Sequence, residues 1–216
     1  MNEFLRRKSQ VVAATQFLRE FGWDTNESCC IKDWDLAQIL PCLRNGNILD
    51  MGAYGSMVLQ NHHKKGLVGH RHGVDLNPNL VEYRKNQAYT ATVCDLCYTP
   101  FDDCFFDTVT CLSVIEHEVN FGRFIKEVSR VLIPGGHLYA TFDYWPDKYK
   151  GLPAGWNILC KQDVEDLLVV ASDNHLNVLT FIDWTTEEAV VRGEDWMPVR
   201  GINYTFGALE FRKKIT

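Results

Sequence analysis

No apolar run in this chain approaches the roughly 20 residues a helix needs to cross a bilayer. The opening MNEFLRRKSQ has no apolar core of a secretory signal. Both absences point to a cytoplasmic protein without a membrane contact. Positive charge is scarce as well: 22 Lys and Arg stand against 28 Asp and Glu, for a formal charge of -6. A long nucleic acid would be repelled on average, because phosphate binding needs clustered basic residues. The short runs Arg6-Arg7-Lys8 and Arg212-Lys213-Lys214 read as solvated ends. Cys94 and Cys97 form a CxxC, yet no second CxxC completes a four-thiolate zinc site, and all eight cysteines read as reduced thiols. His62, His63, His70 and His72 lie in a polar stretch without the spacing of a known metal site, so no metal is expected. A full G-x-G-x-x-G is also missing, which disfavours a nicotinamide-dependent oxidoreductase.

What is present describes one globular domain. The chain has 216 residues, of which 46% are hydrophobic and 23% charged, enough to bury a sizeable core. An apolar stripe predicts a helix from Glu3 to Phe21. Asp33 or Asp35 is placed to cap a second helix that runs to Leu43. From there strands and helices alternate. Strands are expected at Asn47–Met51, Val68–Asp75, Ala91–Asp95, Phe106–Ser113 and, after the turn Pro134-Gly135-Gly136, at His137–Phe142. Helices are expected at Val58–Lys65, Asn79–Gln87 and Phe121–Leu132. Such alternation implies βαβ units and a parallel sheet covered on both faces. The end breaks the rule. A helix from Gln162 to Ser172 precedes strands at Asn177–Ile182 and Asn203–Arg212, and no helix separates those two, so an antiparallel pair is expected.

Three acids fall at strand ends: Asp50, Asp75 and Asp95. In open α/β sheets ligands sit at the carboxyl ends of the strands. An acid after the second strand can accept hydrogen bonds from both ribose hydroxyls, and one after the third can accept from an adenine amine. The loop that follows Asp50 reads G-x-x-G, with Tyr54 where a pyrophosphate-binding turn would keep a glycine. An acid two residues before the first glycine suits an ammonium better than a diphosphate. Each acid also has a plain structural alternative, as a helix cap at Asp50 or Asp75 and a turn acid at Asp95.

The segments ILDMGAYGS, HGVDLNP, VCDLCYTPF, FDTVTCLSVIEHE and EVSRVLIPGGHLYATF, in that order, resemble the motifs of class I S-adenosylmethionine-dependent methyltransferases. The resemblance implies a Rossmann-like, doubly wound, seven-stranded and mostly parallel sheet with an antiparallel C-terminal strand. It makes 47–216 the methyltransferase domain and 1–46 a helical extension packed on it as a lid. It implies S-adenosyl-L-methionine as cofactor, with Asp50, Gly52 and the backbone of Ala53, Tyr54 and Gly55 around the methionine part. Asp75 and Leu76 would meet the ribose and adenine, Asp95 and Leu96 the adenine edge, and Ser113 and Val114 the sulfonium. Glu116 would support the pocket. Tyr54 departs from the usual glycine pattern and leaves a non-catalytic binding module as an alternative.

Methyl transfer needs a base only if the acceptor must lose a proton. His117, after the fourth strand, and Asp143, at the end of the fifth, are the candidates. Tyr144 and Trp145 either wall an acceptor pocket or pack. Lys32, Asp33 and Trp34 are placed to close over the cofactor. The loop Trp184–Tyr204, with Glu194, Asp195, Trp196 and Arg200, suits a polar ligand. The expected acceptor is a small or sugar-like molecule.

Overall fold

The computed structural model describes residues 2–26, 29–83, 88–192 and 201–215. Five strands run parallel in the spatial order β4(Thr90–Val93), β3(Arg71–Asp75), β2(Ile48–Met51), β5(Phe106–Leu112), β6(Leu132–Tyr144). Next to β6 lies β9(Asn203–Lys213), antiparallel over eight register pairs from His137↔Arg212 to Tyr144↔Thr205. The far edge of β9 is tiled by three short strands. β7(Leu176–Val178) takes its last residues, β1(Glu3–Phe4) its middle and β8(Val191–Arg192) its start. The sheet thus has nine strands rather than seven, the additions being the two-residue strands β1 and β8. An edge covered in this way offers few free backbone groups to another chain.

Helices cover both faces. On one, α5(Phe121–Val131) and α6(Lys161–Asp173) bury Phe124, Ile125, Val128, Val164 and Leu167 against Leu49, Val109, Leu138 and Phe211. On the other, α1(Lys8–Glu20), α2(Asp33–Ile39) and α3(Met57–Lys64) bury Leu18, Leu36, Ile39, Val58 and Leu59 with Ile48 and Tyr139. The side-chain oxygen of Asn120 accepts from Arg123 N and starts α5; Ser56 does the same for α3 through Leu59 N.

Four expectations change. The first helix begins at Lys8, because Glu3 and Phe4 pair with Ala208 and Gly207 instead. Gly207 makes that possible: a Cβ there would lie 2.6 Å from the Phe142 ring and 2.7 Å from the Phe4 ring. Asp33 and Asp35 cap no helix. Asp33 accepts from Asn26 N and Thr15 Oγ1, each at 2.7 Å, and Lys32 stands at the cap position. The Pro134-Gly135-Gly136 turn lies inside β6 as a bulge. Its pairing with β5 jumps from Phe106↔Leu132 to Thr108↔His137. The expected strand Asn177–Ile182 is shortened to β7. The helix expected over Asn79–Gln87 is described as α4(Leu80–Tyr83); its remainder, with Glu194, Asp195, Trp196 and Arg200, lies outside the described residues. Among the described residues no helix is long and apolar enough to cross a membrane.

Candidate functional site

A cavity of about 530 Å³ opens at the carboxyl ends of β2, β3 and β5. Ten of the residues assigned above to catalysis or cofactor binding line it: Asp50, Gly52, Tyr54, Gly55, Asp75, Leu76, Leu96, Ser113, Val114 and His117. Ala53, Asp95, Glu116 and Asp143 do not. Ala53 is wholly buried, in contact range of Gly73. Asp95 is exposed and accepts from Cys97 N at 2.8 Å, the turn-acid alternative, while its neighbours Cys94 and Leu96 face the cavity.

Asp50, one residue before the end of β2, lies beside Thr110 of β5, whose hydroxyl donates to it at 2.6 Å. Burial pushes its carboxyl up to about 6, against the pull of Ser56 and Thr110. Asp75 accepts from Tyr54 N at 3.0 Å and from Asn77 N at 2.8 Å, so it pins the glycine loop as well as its own turn. The loop's own donors turn inward. Gly52 N and Ala53 N both bond the Val74 carbonyl, at 2.8 and 3.0 Å. The expectation that backbone N–H groups reach out to a ligand is therefore corrected for Gly52, Ala53 and Tyr54. The loop shapes the cavity by having no side chain at Gly52, where a Cβ would lie 2.2 Å from Val114 Cγ2. Leu76 sits at the rim with 70% of its surface exposed, an apolar face that a flat ring can cover.

The other end of the cavity is charged. Lys32 and Asp35 line it, and neither was assigned there from sequence except for the lid role of Lys32. Lys32 Nζ donates to Ser113 Oγ at 2.5 Å and lies 3.6 Å from Asp35 and 4.0 Å from Asp143. Burial alone would lower the Lys32 ammonium, but Asp35, Asp143 and Glu116 hold it above the usual lysine value. Burial in turn raises Asp35 and Asp143, with Lys32 opposing, and raises Glu116 well above the carboxylate range with help from Asp143. Trp156 Nε1 donates to Asp143 at 2.9 Å. His117 is exposed, its Nδ1 3.1 Å from the Gly155 carbonyl. Asp33, Trp34, Tyr144 and Trp145 stay out of the cavity lining. Trp34 packs with Leu5 and Tyr204, Tyr144 meets the Phe4 ring at a tilt of 43°, and Trp145 joins the same apolar layer as Trp34.

No group of three His, Cys, Asp or Glu side chains among the described residues is arranged to hold a metal. His62 meets the Arg44 carbonyl, and His72 meets Thr90 and Thr92.

The donor set fits an adenosyl amino acid: a buried acid beside a side-chain-free turn, an acid at the next strand, and apolar walls at Leu76 and Leu96. Comparison with known proteins agrees. Residues 49–140 match a family described as a methyltransferase domain. A probable tRNA methyltransferase 9B from Homo sapiens is 42% identical over 72 residues, 32% of this chain and 16% of that protein. A ubiquinone biosynthesis O-methyltransferase from Coxiella burnetii is 29% identical over 103 residues, 45% of this chain and 43% of that one. The chain thus spans less than half the length of these curated relatives. Among solved structures, geranyl diphosphate C-methyltransferase from Streptomyces coelicolor superposes with a TM-score of 0.63 at 18% identity, over 88% of this chain and 84% of that one. The cyclase SpnF gives 0.65 at 18%, over 90% and 84%. Residues 49–140 are thus similar to a methyltransferase domain, and the strand order and overall fold are those of the S-adenosylmethionine-dependent methyltransferases it superposes on.

Proposed function

We propose that the chain binds S-adenosylmethionine in this cavity and methylates a small molecule that enters beside Ser113 and His117. The observation that carries the reading is one cavity that joins Asp50, Gly52 and Asp75 at one end to Ser113, Val114 and His117 at the other. When bound, the cofactor supplies an electrophilic methyl group on a cationic sulfur. Asp50 faces its ammonium, Asp75 its ribose hydroxyls, and Leu76 and Leu96 flank the adenine. Holding an acceptor close and aligned supplies most of the remaining acceleration. Residues 1–46 act as the cover, with Lys32 as its contact to the site.

Calorimetry with S-adenosylmethionine tests the reading, and lack of binding refutes it. Its pH dependence carries a sign. Only the Asp50 carboxylate attracts an ammonium, and this carboxyl titrates at about 6. Affinity should be level above pH 7 and fall as pH drops through 6, approaching tenfold per unit below. A flat profile between pH 5 and 8 removes Asp50 from the ammonium. His117→Ala should lower turnover roughly 100-fold or more if His117 carries the acceptor's proton, with cofactor affinity unchanged.

The similarity to a tRNA methyltransferase favours a second reading, with RNA as acceptor. The charge of -6 and the acidic end of the cavity oppose it. Labelling of tRNA but of no small molecule would establish it.

A further inference from the structure

We propose that the acceptor is an amine, held as its ammonium among the carboxylates of Asp35, Glu116 and Asp143; the inference rests on the methyltransferase reading above. These groups come from separate parts of the chain. Asp35 is on α2, Glu116 follows β5, Asp143 is on β6, and Lys32 ends the short turn before α2. Each carboxylate residue is at most 5% exposed. One ammonium therefore faces three acids, and it bonds to Ser113 while standing 3.6 and 4.0 Å from Asp35 and Asp143. Glu116 Oε2 and Asp143 Oδ1 have no hydrogen-bond partner among the described residues, and the buried hydroxyl of Thr141 lies beside Asp35.

Burial favours the neutral, donating form of Glu116, but the carboxylates of Asp35 and Asp143 only accept, so a donor suits the cluster. A buried acceptor left unmet is costly, which makes the cluster ready for a donor. A ligand carboxylate or phosphate would meet like charge. An alcohol brings one donor and no charge. An ammonium brings three donors and the missing positive charge. The cavity reaches the cluster at Lys32, Asp35 and Ser113, with Glu116 and Asp143 buried behind that lining.

The chemistry balances. The ammonium first gives one proton to a carboxylate of the cluster, which frees the nitrogen lone pair. That pair forms the bond to the methyl carbon as the carbon–sulfur bond breaks and its electrons return to sulfur. The amine gains a methyl group, the sulfonium becomes a neutral thioether, and the transferred proton leaves to solvent past His117.

The test compares ethylamine, ethanol and acetate by ligand-observed NMR, at equal ionic strength, on protein saturated with S-adenosylhomocysteine. Ethylamine should bind at least tenfold more tightly than ethanol, with acetate weaker still. Asp143→Asn should cut the preference for ethylamine over ethanol to under threefold. Glu116→Gln serves the same purpose should Asp143→Asn fail to fold. Equal binding of ethylamine and ethanol, or a preference that survives the substitution, overturns the inference. Failure to bind S-adenosylmethionine in separate calorimetry overturns the methyltransferase reading instead.

Discussion

Asp50→Asn should cost most of the cofactor affinity and, at the same time, make the ligand-free protein more stable. The two effects share one cause. Asp50 is 4% exposed, and burial lifts its carboxyl from the ordinary 3.8 to about 6. A carboxyl raised in the folded state binds more protons than in the unfolded state between those values. Its contribution to stability therefore falls as pH rises through that window and stays low above it. At pH 7 the penalty is about 3 kcal/mol. Asparagine has no charge to desolvate, and its carbonyl can still accept from Thr110. A rise of several degrees in melting temperature at pH 7 is expected, with no rise near pH 4. Affinity moves the other way, because the cofactor ammonium loses its charge partner. A loss of about 2–5 kcal/mol is expected, read by calorimetry. If Asn leaves both melting and affinity unchanged, Asp50 is neither strained nor a ligand.

Gly52→Ala is the second large effect. Gly52 has φ +86, where an L side chain is strained by about 1–2 kcal/mol. The added methyl would also sit 2.2 Å from Val114 Cγ2, on a side chain that lines the cavity. Val114 must turn aside, and the nearest space is the cavity itself. The expected result is a destabilisation of about 2–4 kcal/mol together with cofactor binding too weak for calorimetry. A variant that melts as the parent does and binds normally would show that the loop can rearrange.

The parallel half of the sheet was legible from Asn47 to Phe142, because β2 is a short apolar run, β5 and the end of β6 carry buried apolar residues, and polar or glycine-containing turns separate the strands. The acids at the tips were legible as well: Asp50 is the last but one residue of β2 and Asp75 the last of β3. β1 was not. Phe4 fits the apolar stripe of the helix that follows, and only β9, far along the chain, makes it a strand. Nor was Asp35. The DWD segment reads locally as a helix start, while the groups that bury it in the site, Ser113 and Lys32, meet it only once β5 and the turn before α2 come together. The inward turn of the loop's N–H groups depends on the Val74 carbonyl of the neighbouring strand, which no local pattern encodes.

The tiling of β9 has a consequence for how the chain is made. On the ribosome every other strand emerges before Asn203–Lys213 does. Until then β6 has no outer neighbour, Phe142 and Tyr144 lack their partners on β9, and Glu3–Phe4 waits for Gly207 and Ala208. Pairing across so long a separation is slow, and an uncovered apolar strand is open to foreign ones in the interval. This part of the nascent chain is therefore most vulnerable to aggregation just before β9 docks, and a chain stopped short of Asn203 should be found bound to chaperones rather than free.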